Sequence, residues 1–125
     1  MNKKRTGMVK KADGLISGAK DAIDELVEVD EANRDADYEA RKTTVMARVK
    51  LDLDLAHEIL TDASEGEQQA FDNMNEGNQA NSDNEQHISD MDEAVSTLQG
   101  LDLDGDMDDL IQELDGVDLS GPMNA

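Results

Sequence analysis

The chain has 125 residues, 31 acids, 11 bases and no cysteine, for a formal charge of −20. That length allows one domain at most, and the missing thiols exclude disulfides, thiolate metal sites and cysteine nucleophiles. Leu, Ile, Val and Phe make up only a fifth of the residues, with one Phe (Phe71), one Tyr (Tyr38) and no Trp. A large interlocked core is therefore not expected, and the chain should gain more by burying a narrow stripe against a partner helix than by folding as an isolated globule.

Every Lys and Arg lies at or before Lys50. Residues 1–50 hold 11 bases and 10 acids, whereas residues 51–125 hold 21 acids and no base. The chain divides into a mixed-charge half and a polyanionic half. Asp exceeds Glu by 20 to 11 and Lys numbers only 7. This balance suits work in multimolar salt, where self-repulsion is screened to within ~3 Å at 1 M. A halophilic source, cellular or viral, is the expectation, with an acidic effector from an ordinary organism as the alternative.

Residues 1–60 read as a long helix or a helical hairpin of mixed charge. Met8, Ala12, Leu15, Ala19, Ala22, Leu26 and Val29 recur at alternating spacings of four and three, and Ile16 and Ile23 broaden the stripe. Such spacing is coiled-coil-like and predicts a contact surface made by Met8, Ala12, Leu15, Ile16, Ala19, Ile23, Leu26 and Val29. A second stripe follows at Val45, Val49, Ala56, Ile59, Leu60 and Ala63. No Gly or Pro lies between Gly18 and Gly66, which favours one rod from about Gly7 to Ser64. The two out-of-phase stripes favour a hairpin bent near Asp30–Asp37, and the rod is the slightly preferred expectation. Asp37 and Arg41 form an acid-to-base pair at i, i+4. Leu51-Asp52-Leu53-Asp54-Leu55 alternates like a strand, but its helical flanks predict helix.

Residues 61–86 read as a polar, acidic linker, with only Phe71 and Met74 as large apolar side chains. Residues 87–116 read as short acidic amphipathic helices. The first carries Ile88, Met91, Val95 and Leu98, is capped by Ser89 with Asp92, and ends at Gly100. The second, capped by Asp106 or Asp108 and stopped by Gly116, bears Leu110, Ile111 and Leu114. With Val117 these residues could dock in a partner groove or fold back on Val95 and Leu98. Residues 117–125 read as a disordered tail. The fold class expected is all-α.

Several motifs bear on chemistry. Asp102, Asp104, Asp106 and Glu113 occupy positions 1, 3, 5 and 12 of an EF-hand-like calcium loop, but Met107 stands where the turn glycine belongs and no second loop exists. Asp54 precedes His57 by three, half of a di-iron carboxylate pattern, while Asn84 precedes His87, so both histidines read as solvated. No Gly-x-Ser-x-Gly elbow and no Gly-Lys-Ser/Thr phosphate loop occurs. An enzyme is not expected, and no cofactor is implied. Met1-Asn2-Lys3-Lys4-Arg5 resembles the charged start of a signal peptide, but Lys10, Lys11, Asp13 and Lys20 interrupt any apolar run. A soluble protein of the cytoplasm or of a virion is expected, with neither signal peptide nor transmembrane segment.

These features predict a non-enzymatic helical assembly or adaptor protein, such as a virion or other complex component, that binds a protein partner or itself. One alternative is an acidic inhibitor that mimics nucleic acid before a DNA-processing or defence enzyme, its carboxylates standing in for phosphates. Direct binding to nucleic acid is not expected. Lys3, Lys4, Arg5, Lys10 and Lys11 beside an apolar face also allow contact with an anionic membrane, a less favoured reading. The basic-to-acidic layout and Asp108-Asp109-Leu110-Ile111-Gln112-Glu113-Leu114 loosely resemble the ESCRT-III-type proteins, which implies membrane remodelling with a partner-binding tail helix. Glu113 stands where that motif carries a base, and the chain is short for the family's hairpin.

Overall fold

The computed structural model describes residues 1–125 and contains only helices: α1 (Lys3–Val27), α2 (Ala36–Asp72), α3 (Glu76–Ala80), α4 (Asn84–Gln99), α5 (Met107–Asp115) and α6 (Ser120–Met123), with a 3₁₀ turn at Glu31–Asn33. Asn2 starts α1, its side chain accepting from the Arg5 backbone N–H at 2.8 Å. Asp35 starts α2 in the same way, accepting from the Tyr38 N–H at 2.9 Å. Asp37 and Glu39 follow in the first turn of α2, where negative charge complements the helix dipole.

Helices α1 and α2 pack as an antiparallel hairpin. Val9, Ala12, Ile16, Ala19, Ile23 and Leu26 of α1 are buried, as are Val49, Leu53, Ala56, Leu60 and Ala63 of α2. The alanines let the two backbones approach, and the Leu and Ile side chains supply about 1.5–3 kcal/mol each on leaving water. The rod expected for residues 7–64 is thus corrected to its alternative, the bend. What makes the bend without Gly or Pro is a set of side chains that takes over the carbonyls at the end of α1. Tyr38 donates its hydroxyl to Leu26 O (3.0 Å), and Arg34 donates to Val29 O (3.1 Å) and Val27 O (3.2 Å). The guanidinium groups of Arg34 and Arg41 lie 5.4 and 5.6 Å from the Tyr38 ring centroid, close enough for cation–π attraction. Arg41 stacks here and makes no ion pair with Asp37.

The other end of the hairpin is tied differently. Glu67 is fully buried, with Arg5 Nε 3.0 Å from one carboxylate oxygen and the Met1 ammonium 3.6 Å from the other. The Arg5 side chain crosses Gly66 so closely that a Cβ there would sit 3.1 Å from Arg5 Cδ.

Helix α4 packs on α2, with Ser64 donating to Asp92 at 2.6 Å and Met91 and Ala94 entering the core. Helix α5 lies on α1 through Leu110 and Leu114, and α6 closes against α1 and α4 with Leu119 and Pro122 buried. Two expectations are corrected. The linker at 61–86 is largely helical: α2 continues to Asp72 and α4 begins at Asn84, leaving two short connections around α3. Continuation of α2 is secured by Ala63, Ser64 and Glu67, buried positions that carry no large apolar side chain. Part of the tail at 117–125 forms α6 (Ser120–Met123), and Leu119 just before it has a place in the core. Helix α4 also starts before the cap expected at Ser89. Gly100 and Gly116 do end α4 and α5, and Asp106 caps α5 by accepting from the N–H groups of Asp108 (2.7 Å) and Asp109 (3.3 Å).

Candidate interaction surface

The alternating stretch Leu51–Leu55 lies in mid-α2. Leu53 points into the core and is 4 % exposed, so its neighbours two positions away turn about 200° round the helix. Leu51 is 66 % and Leu55 39 % exposed, and they are the exposed large apolar residues of the molecule. Around them on the same outer face lie Arg41, Thr44 and Arg48 towards the start of α2, and Glu58, Asp62 and Glu65 towards its end, all exposed. Arg48 reaches Asp52 at 3.1 Å and Lys50 reaches Asp54 at 2.7 Å, both along the helix surface. Such exposed i, i+4 pairs hold little energy and leave the side chains free to turn.

The stripe expected as an external contact surface is occupied from within. Ala12, Ile16, Ala19, Ile23 and Leu26 are buried, and Met8, Leu15 and Val29 are half-buried. Most of these residues join the core that α1 shares with α2, α4 and α5. The proposed docking helix is in the same position: Leu110 and Leu114 are buried, and Ile111 and Val117 are half-buried against the core. An external partner would have to displace α5 to reach them. The apolar face beside the basic N-terminus includes Val9, Ala12 and Ile16, so it too is covered, while Lys3, Lys4, Lys10 and Lys11 remain exposed. No helix is long and apolar enough to cross a membrane.

The calcium-loop residues are not brought together. Asp102 accepts the Asp104 N–H at 3.1 Å, Asp106 caps α5, and Glu113 lies on an exposed turn of that helix; no cluster of three metal-ligating groups forms. The histidines are half-buried rather than solvated, with Nε2 of His57 and Nδ1 of His87 shielded and without hydrogen-bond partners. His57 lines a shallow cleft of about 550 Å³ between α2 and the α4–α5 loop, with Asp54, Asp102 and Asp104 around its rim.

Most of the acidic half stands unneutralised. Of its 21 carboxylates, only Asp52, Asp54, Glu67 and Asp115 engage a cation. Lys20 donates to Asp115 at 2.6 Å. That hydrogen bond, aided by the charges of Asp115, Asp24 and Asp21, holds the Lys20 ammonium above its ordinary pKa. Asp118 is held below the usual carboxylate range by the Ser120 hydroxyl (2.6 Å), then by the Ser120 N–H (3.0 Å). Sequence reading missed the outer face of α2 because Leu51–Leu55 was weighed only as strand against helix, and Leu51 and Leu55 were assigned to no face. The signal was present in the two-residue alternation, which a helix cannot bury on one side.

Compared with family models, curated proteins and solved structures, the chain matches none.

Proposed function

We propose that the chain is a non-enzymatic helical assembly or adaptor module of a halophilic source, and that it binds protein through the outer face of α2. The observation that carries this reading is the exposure of Leu51 and Leu55 on a surface otherwise composed of charged, small polar and alanine residues. Two adjacent leucines left in water by a chain with so few large apolar residues are a contact waiting for an apolar partner. The bundle supplies a rigid support, and the unpaired carboxylates keep it dispersed at the salt concentrations where that contact is strongest. The test is purification of the Leu51→Asp/Leu55→Asp protein from its native source in high salt beside the wild type. The double variant is expected to keep its helicity and to lose its co-purifying protein. Unchanged complexes would refute the reading.

A second reading, mimicry of nucleic acid, gains from one observation. Residues 84–99 and 107–115 are helices packed on the bundle, so their carboxylates are held in fixed positions, as imitation of a phosphate array requires. It predicts salt-sensitive binding to a DNA-processing enzyme, competed by DNA and indifferent to the Leu51→Asp/Leu55→Asp change. Failure to compete at low salt removes it.

A further inference from the structure

The outer face of α2 is complementary to itself. Its exposed residues Arg41, Thr44, Arg48, Leu51, Leu55, Glu58, Asp62 and Glu65 follow alternating spacings of three and four, on the side of the helix away from Val49, Leu53, Ala56 and Leu60. Between Arg41 and Glu65 the bases stand at one end, the two leucines in the middle and the acids at the other, while Asp37, one turn before Arg41, is an exposed acid on the same face at the basic end. Place a second α2 antiparallel against this face, with a two-fold axis beside Leu53. Each Leu51 then meets the other copy's Leu55, each Arg48 meets Glu58, and Arg41 lies opposite the turn carrying Asp62 and Glu65. A parallel pairing would set Arg48 on Arg48 and Glu58 on Glu58. From this pattern we infer that the occupant of the face is a second copy of the chain, in an isologous antiparallel contact. The inference rests on the proposed binding role of α2 and names its partner.

The surroundings set how strong the contact is. The stripe from Arg41 to Glu65 is about 36 Å long and about 10 Å wide. Two copies bury on the order of 700 Å² there, below the ~1,200 Å² of standard interfaces. Asp52 and Asp54 flank the axis and approach their counterparts; Lys50 stays with Asp54, but Arg48 is shared between Asp52 and the other copy's Glu58, so part of the Asp52 charge stays uncompensated and weakens the contact. Two bodies of charge −20 repel at long range. The dimer is therefore weak, and it forms when salt screens that repulsion while the apolar centre and close pairs persist.

Sedimentation equilibrium of the full chain up to about 1 mM protein, in about 1 M salt where the Debye length is ~3 Å, tests this. The wild type is expected to shift from monomer to dimer mass with concentration. Arg48→Glu and Glu58→Arg should each weaken the dimer at least about tenfold, since each sets like charges opposite one another, and the combined swap should restore it. Leu55→Glu should abolish it, with helicity by circular dichroism as the control for folding. Should the charged variants misfold, a second measurement decides. The chain has no cysteine of its own, so Leu51→Cys chains mixed with Leu55→Cys chains should oxidise mainly to the 51–55 disulfide over the 51–51 and 55–55 products. A monomer throughout, a double swap no better than the single changes, or a share of the 51–55 disulfide no greater than random pairing of the two chains gives overturns the inference. A monomeric wild type whose native complex still needs Leu51 and Leu55 overturns only the second copy and leaves the adaptor reading standing.

Discussion

Within five residues α2 presents two opposite surfaces. Leu53 is 4 % exposed and belongs to the core, whereas Leu51 and Leu55 on either side of it face solvent. The three leucines are chemically identical and sit in the same Asp-interleaved stretch, so their difference comes wholly from the direction in which a helix turns them. The same side chain therefore stabilises the fold at one position and is free to meet a partner at the next. Acidic residues divide likewise: Glu67 is enclosed and tied to Arg5, while Glu58 and Asp62, earlier on the opposite face of the same helix, stand in water.

Paired substitutions sharpen this contrast. The largest effect is expected from Leu53→Asp, which puts an unpaired charge in the core and should cost about 4 kcal/mol or more in urea unfolding, while Leu51→Asp should stay within about 0.5 kcal/mol of the wild type. Next is Arg5→Met, which leaves the enclosed Glu67 carboxylate with only the ammonium at 3.6 Å. A loss of about 3 kcal/mol is expected, only partly recovered when Glu67→Leu is added, because the double change removes the desolvation cost of the carboxylate but leaves the enclosed Met1 ammonium without its partner. A double-mutant cycle checks it. A smaller effect separates two helical glycines. Nothing lies within 4 Å of a Cβ at Gly18, so Gly18→Ala should stabilise by about 0.8 kcal/mol, whereas Gly66→Ala presses on Arg5 Cδ and should gain less or destabilise. The smallest is the Lys20–Asp115 pair. Its folded pKa is raised, so its contribution is complete below the ordinary lysine value of 10.5 and is lost as pH rises through the higher folded value. The melting-temperature difference between wild type and Lys20→Met should be small at neutral pH and vanish in strong alkali.

Much of the helical framework was legible. The glycine ends of α4 and α5 and the Asp106 cap stand where local chemistry put them, and the α1 stripe does so in part: Ala12, Ile16, Ala19, Ile23 and Leu26 are buried, but Val9 takes the place expected for Met8, and Val29 lies beyond the helix. The bend between α1 and α2 was not, because its cause is tertiary: Arg34 and Tyr38 reach back to carbonyls of α1 that only a closed hairpin presents. A local sign did exist, in Asp35 followed by the acids Asp37 and Glu39, the pattern of a helix start. Residues 61–72 looked like linker because burial of Ala63, Ser64 and Glu67 cannot be told from composition; a buried glutamate reads as a solvated one until its arginine, 62 residues away in sequence, is placed beside it. The candidate site was half legible. The leucine alternation was visible, but which leucine faced outward depended on the angle at which α2 met its neighbours.

The chain's own residues determined that it would be helical, acidic and short of large apolar side chains, since propensity, charge and spacing are local properties that survive in any arrangement. Only the tertiary structure decided that the first stripe is covered by α2 of the same chain, and that Leu51 and Leu55 remain uncovered. That decision depends on long-range side-chain contacts across the hairpin, whose energies exist only once distant segments have come together.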